Sequence, residues 1–385
     1  MIDLEASFST ALSFDDVLLE PQRTRARSRQ DVNLSARLTR NIRLTCPVVS
    51  ANTAWCTGAA MAVAMAASGG IGFIHRVATI AEEVEEVHKV KGTRLDPERW
   101  PQATIDAAGR PRVGASVGVA RDASERAERL VAAGVDLLVV DVAHGHADHT
   151  LETVVALKAA FPDTPIVAGN VATAAGTTDL IEAGADAVKV GIGPGGVCTT
   201  RLVTAAGVPQ LTAIFACAQA ARPHGVPVIA DGGIRSSGDI VKALAAGAET
   251  VMLGSLLAGA NESSALPVEA DGRMVKTTTG FVTFGMALMQ KRLTGEPVNA
   301  DELRRYVPEG VEATFQATGP VADTLLQLMG GVASGCSYSG ALSLDELRMK
   351  ARFIRITAAG RAENGPHVLG RAPQLALDFA RDAAG

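Results

Sequence analysis

VAAGVDLLVV (131–140), IEAGADAVKV (181–190) and LAAGAETVML (244–253) are three renderings of one phrase: a helix-favouring stretch, then Ala-Gly, then a short run rich in Val and Leu. Each glycine, Gly134, Gly184 and Gly247, suits the left-handed position that ends a helix. The apolar run after it reads as a parallel strand buried on both faces. Working outward to the other short apolar runs gives in all CPVVSA (46–51), GGIGFIH (69–75), RVGASVG (112–118), VDLLVVD (135–141), PIVAGNV (165–171), DAVKVGIG (186–193), VPVIADGG (226–233) and TVMLGSLL (250–257). That makes eight strands, separated by segments long enough for helices. Eight such units within roughly 250 residues predict a single (β/α)₈ TIM barrel. An open doubly wound sheet usually has fewer strands and a GxGxxG turn after the first.

Composition narrows the class. The 385 residues are 47% apolar and only 4% aromatic, enough to bury a large core. A net charge of −5 gives no basic stripe for nucleic acid or an anionic membrane, so any phosphate should be gripped locally. No apolar run reaches the roughly 18 residues of a membrane span, and MIDLEASFST does not read as a signal peptide, so a cytoplasmic protein is expected. The five cysteines, Cys46, Cys56, Cys198, Cys217 and Cys336, are scattered and lack CxxC or Cys/His spacing. They read as reduced thiols rather than as disulfides or zinc ligands. His144, His146 and His149 have no partnering carboxylate pattern for a metal, and AEEVEEV (81–87) reads as a solvated helix face.

Barrel enzymes place their chemistry at the C-terminal ends of the strands, so the informative residues are those where each apolar run stops. These are Ser50-Ala51-Asn52, Asp141 with His144, Asn170, GIGPGGVCTT (191–200), Asp231-Gly232-Gly233 and Gly254-Ser255. The glycines closing strands seven and eight, each expected to lead into a helix, form a candidate phosphate site, because unhindered N–H groups and a helix dipole face the anion. The loop after strand six presents the Cys198 thiol among glycines and hydroxyls, with turn carbonyls free for a monovalent cation. A lone cysteine is ordinarily a small buried hydrophobe. At a barrel mouth it is placed to add to an electrophilic carbon such as C2 of a purine.

LSFDDVLLEP (12–21), VVDVAHGH (139–146), GNVAT (169–173), KVGIGPGGVCTTR (189–201), IADGGIRSSGDIVKALAAGA (229–248), VMLGSLLAG (251–259), VPEGVE (307–312) and ARFIRIT (351–357) occur in the order found in the IMP dehydrogenase and GMP reductase family, which nearly the whole chain resembles. The resemblance implies that Cys198 forms a covalent purine adduct, with Thr200 as its proton-transfer neighbour. It implies Asp231 on the ribose, and Gly232, Gly233, Gly254 and Ser255 at the phosphate. Ser50, Asn52, Gly280 and Phe281 complete the substrate set. Asp141, Asn170 and Gly191 would lie near the dinucleotide, and carbonyls of Gly193, Gly195 and Cys198 around a potassium ion. A purine nucleoside monophosphate as partner and a homotetramer are implied in the same way.

Departures from the family bear on the reaction. The CBS modules that most bacterial IMP dehydrogenases insert after strand two are replaced by the short connection 89–113, so allosteric control through such modules is not expected. The catalytic domain then occupies 1–385, with 260–340 as a mobile flap and active-site segment. Dehydrogenases carry a flap like EGxxxRVPYKG; here it reads EGVEATFQATG (309–319), with Thr314 at the arginine and Ala317 at the tyrosine. Without the arginine the water-activating base is missing, whereas Thr200 and Glu309 match the pair that reductases use to release ammonia. Gly196 replaces the serine of GPGS, Thr278 a tyrosine, and SANTAWC (50–56) the pattern SAxMDTV. The expected activity is therefore NADPH-dependent reductive deamination of GMP or a modified, GMP-like nucleotide. An NAD-dependent IMP dehydrogenase is the alternative, and a catalytically inactive nucleotide-binding barrel the second.

Overall fold

The computed structural model describes residues 9–270, 272–279, 283–294 and 304–365. Eight parallel strands close into a barrel: β1 (Val48–Ser50), β2 (Ile71–Ile74), β3 (Val113–Val117), β4 (Leu137–Asp141), β5 (Ile166–Val171), β6 (Ala187–Val190), β7 (Val228–Asp231) and β8 (Thr250–Leu253). Each lies inside an apolar run read from the sequence. Closure is made by β8 on β1, with Val251 opposite Val48 and Leu253 opposite Ser50. Nearly every strand residue is buried, since one face fills the barrel and the other packs under helices.

Seven helices alternate with the strands: α1 (Ala59–Ala67), α2 (Ile80–Gly92), α3 (Ala123–Ala132), α4 (Asp148–Ala160), α5 (Ala174–Glu182), α6 (Gln210–Ala221) and α7 (Ser237–Ala245). Gly134, Gly184 and Gly247 end α3, α5 and α7 with φ of 87°, 109° and 118°, the left-handed turn that the repeated Ala-Gly phrase demanded. The connection 89–113 folds back on the barrel: Leu95, Trp100, Ala103 and Ile105 pack on Ala66 and Ala67 of α1.

The chain departs from simple alternation after β8. No helix follows Gly254; successive turns, such as Leu257 N–H to the Gly254 carbonyl at 2.9 Å, carry it outward instead. The expectation of a helix start behind the strand-eight glycine is thus corrected, and only the strand-seven glycines lead into one, α7. A three-stranded antiparallel sheet comes next, with β9 (Leu266–Ala270), β10 (Arg273–Thr279) and β11 (Glu312–Gln316). The ring is completed by α9 (Val321–Tyr338), which packs against α7 and α1; α8 (Phe284–Thr294) lies between β10 and β11 in sequence. The antiparallel sheet and α9 both fall within the stretch 260–340. Val17–Leu19 pairs with Phe353–Arg355, which brings Ser13–Asp15 to the wall of the catalytic end.

Helix α1 reaches β2 only because Gly72 has no side chain: a Cβ there would lie 2.6 Å from the Cα of Ala62. Gly72→Val should lower the unfolding free energy by about 1–3 kcal/mol through overpacking. Denaturant titration measures this, and an unchanged midpoint would contradict the packing.

Candidate active site

A cavity of about 490 Å³ opens at the C-terminal ends of the strands, within the size of a nucleotide or cofactor site. Its floor is ionic. On β6, Lys189 Nζ sits 2.8 Å from Asp141 Oδ1 at the end of β4 and 2.6 Å from Asp231 Oδ2 at the end of β7. Asn52 Nδ2 donates to Asp141 Oδ2 at 2.7 Å and to Ser116 Oγ at 2.8 Å. Asn170 Nδ2 donates to Asp231 Oδ2 at 2.9 Å and to the Gly191 carbonyl at 2.7 Å. Burial alone would discharge Lys189 and Asp141. It lowers Lys189, but the two carboxylates more than offset it and hold the ammonium above its ordinary value. Burial likewise raises Asp141, yet Lys189 and Asn52 bring it below the usual carboxylate range.

The loop that carries Cys198 is fitted to this floor through glycines. Gly191, at φ 151°, has no room for a Cβ, which would lie 2.0 Å from the Asp231 carbonyl. Gly232 and Gly233, at φ 90° and 79°, let Pro194 pack directly on the end of β7. Gln210, at the start of α6, ties the loop ends together by donating to the Val190 and Asp231 carbonyls at 2.9 and 3.0 Å. The outcome is a thiol at the cavity wall, Cys198 Sγ, 3.1 Å from Thr200 Oγ1. The other four cysteines are buried, and burial pushes Cys56 and Cys217 up to about 11 and Cys46 and Cys336 to about 12. Those four stay protonated at neutral pH and out of reach.

Glu309 reaches the same cavity from the inserted segment. Its carbonyl accepts from the Thr199 amide at 2.8 Å, and the Val311 amide donates to the Val197 carbonyl at 2.9 Å, so Cys198 lies opposite Gly310 in a one-residue antiparallel bridge. Beyond it, β11 alternates: Phe315 turns inward to stack on Trp55, while Thr314, paired with Thr277, is exposed.

The structure thus brings Cys198, Thr200, Glu309, Asp141, Asn170, Gly191, Asp231, Gly232, Gly233, Gly254, Ser255, Asn52, Gly193 and Gly195 to one cavity. Ser50 is fully buried instead, its Oγ accepting from Thr57 Oγ1 at 2.8 Å beneath the site. Gly280 and Phe281 lie outside the described residues. Asn170 joins Asp231 to Gly191. Sequence reasoning missed Lys189, Gln210 and Trp55. Lys189 was detectable as the one lysine within the apolar run DAVKVGIG.

Comparisons agree with this geometry. A profile described as the IMP dehydrogenase / GMP reductase domain matches residues 11–367. The chain is 38% identical to inosine-5′-monophosphate dehydrogenase of Nitrosopumilus maritimus, covering 94% of this chain and 98% of that protein. It is 36% identical to GMP reductase of Leishmania major, over 94% and 97%. A crystal structure of Trypanosoma brucei GMP reductase in complex with guanosine 5′-monophosphate superposes with a TM-score of 0.90 at 35% identity, over 96% of this chain and 100% of that one.

The floor yields a test of its electrostatics. Lys189→Met leaves Asp141 buried without its ammonium, which should cost about 3–5 kcal/mol at neutral pH. In the wild type the depressed Asp141 contributes stability at neutral pH and loses it only as pH falls through its lowered value. In the variant burial raises Asp141, so acidification relieves the strain and the deficit should shrink between pH 7.5 and 5.5. Urea unfolding at both pH values reads this; a deficit independent of pH would refute the triad.

Proposed function

The chain belongs to the IMP dehydrogenase and GMP reductase family, and we propose that within it this enzyme is a reductase: it deaminates GMP, or a GMP-like purine nucleotide, to the IMP-type product and ammonia. The observation that carries this reading is the flap, where Thr314 stands at the dehydrogenase arginine and is exposed, while Glu309 lies at the cavity with Cys198 and Thr200. Water activation needs a positioned base, and ammonia release needs a positioned acid; this chain retains the elements of the second.

In this mechanism the Cys198 thiolate adds to C2 of the purine. Thr200 and Glu309 deliver the proton with which the 2-amino group leaves as ammonia. Reduction at C2 then breaks the C–S bond and returns the thiolate. Asp231 and the glycines after β7 and β8 hold ribose and phosphate, and Asp141, Asn170 and Gly191 face the dinucleotide. NADPH, when bound, supplies the hydride. Neutral carbonyls of Gly193, Gly195 and Cys198 suit a potassium ion, a hard donor set for a monovalent cation; the Gly195 carbonyl already accepts from the Cys198 amide at 3.1 Å and keeps one lone pair. The relatives of 38% identity named as IMP dehydrogenases favour the alternative, NAD-dependent oxidation of IMP to XMP.

Purified enzyme should oxidise NADPH with GMP and release ammonia, with negligible XMP from IMP and NAD; robust XMP formation would establish the alternative. Cys198→Ala should abolish turnover while nucleotide binding by calorimetry persists. Glu309→Gln should slow ammonia release about 10²–10⁴-fold, the contribution of a positioned acid, with little loss of nucleotide affinity; normal turnover would remove Glu309 from the mechanism.

A further inference from the structure

The stretch that carries Glu309 is held to the barrel at both ends by backbone hydrogen bonds. At its start are the two bonds around Cys198 and Gly310; at its end the Thr318 amide donates to the Gly259 carbonyl and the Asn261 amide to the Gly319 carbonyl, each at 2.9 Å. Between them β11 makes an aromatic contact with the barrel. Phe315 stacks on Trp55, ring centroids 6.3 Å apart at 18°. Trp55 is itself a fixed platform: it is 7% exposed, and a Cβ on Gly254 would lie 3.0 Å from its Cη2, so the indole is wedged against the end of β8.

Neither ring has chemistry to offer at the reacting carbon. Phe315 has no polar atom, and Trp55 Nε1 is buried without a partner. Both stand where the family patterns SAxMDTV and RVPY carry a threonine and a valine, so both halves of the contact depart from the pattern together. A one-residue bridge is a slight anchor, because its amides exchange partners with water readily, whereas an offset aromatic pair on a rigid platform resists displacement. We propose that the Trp55–Phe315 stack is the pin that keeps Glu309 beside Cys198, which makes Trp55 and Phe315 positioning residues for the proton transfer. The inference rests on the reading of Glu309 as the acid of the proposed reaction.

Phe315→Leu keeps apolar bulk and removes the ring; Phe315→Tyr keeps the stack. The chain has two tryptophans, so in a Trp100→Phe background emission reports Trp55 alone. Phe315→Leu should red-shift that emission, speed hydrogen exchange at the Thr199 and Val311 amides, and lower kcat about tenfold with the nucleotide KM within about twofold, as expected of misplacement rather than lost binding. Phe315→Tyr should restore all three. Unchanged emission and exchange in Phe315→Leu would overturn the pin, as would faster exchange with kcat intact, or a loss that tyrosine does not rescue. Failure of the reaction reading appears separately, as absence of GMP reduction by the wild type, and leaves the emission and exchange results to judge the pin.

Discussion

One ammonium organises the catalytic end of this barrel. Lys189 lies between Asp141 and Asp231, and with Asn52 and Asn170 it joins the ends of β1, β4, β5, β6 and β7 in one polar network. Without it the two half-buried carboxylates would repel one another. With it, Asp141 stays ionised on the side assigned to the dinucleotide and Asp231 is fixed on the side assigned to the ribose. The backbone is shaped to fit: a Cβ on Gly169 would lie 2.8 Å from the Lys189 Cβ, so β5 carries glycine where it passes that lysine.

Above this floor sits the one cysteine that burial does not disable. Four thiols serve as apolar filling, pushed well above neutral pH by the core around them. The fifth is presented by a glycine-rich loop that turns at positive φ at Gly191 and Gly193, and is placed 3.1 Å from a hydroxyl. Selectivity among the thiols is thus a matter of access and surroundings, which the fold supplies.

In the proposed mechanism, the choice between dehydrogenation and reduction turns on what the inserted segment offers to the Cys198 adduct. Strand alternation is decisive, because side chains on β11 point by turns inward and outward. Phe315 takes the inward place against Trp55, so its neighbour Thr314 is turned to solvent. The same segment hands Glu309 to the cavity through backbone bonds with the thiol loop. The proposed reductase reading rests on that geometry rather than on overall similarity, since relatives bearing both names match almost equally well.

By itself the sequence determined the barrel, because its signals are local: a glycine after the last helical turn takes the left-handed conformation that ends the helix, and a strand buried on both faces is predominantly apolar. It also pointed to Cys198, Thr200, Asp231 and the glycines around them as a candidate site, and the fold brings these to one cavity. The ring helix α9 was hidden because it is displaced by some sixty residues of insertion, and local periodicity carries no record of which helix completes a closed ring. Only the tertiary structure decided that Ser50 is buried beneath the site, that Lys189 is shared by two carboxylates, and that Trp55 meets Phe315. Those contacts join residues 42 to 260 positions apart in sequence, or set a side chain inward rather than outward, and closure of the barrel alone fixes such distances.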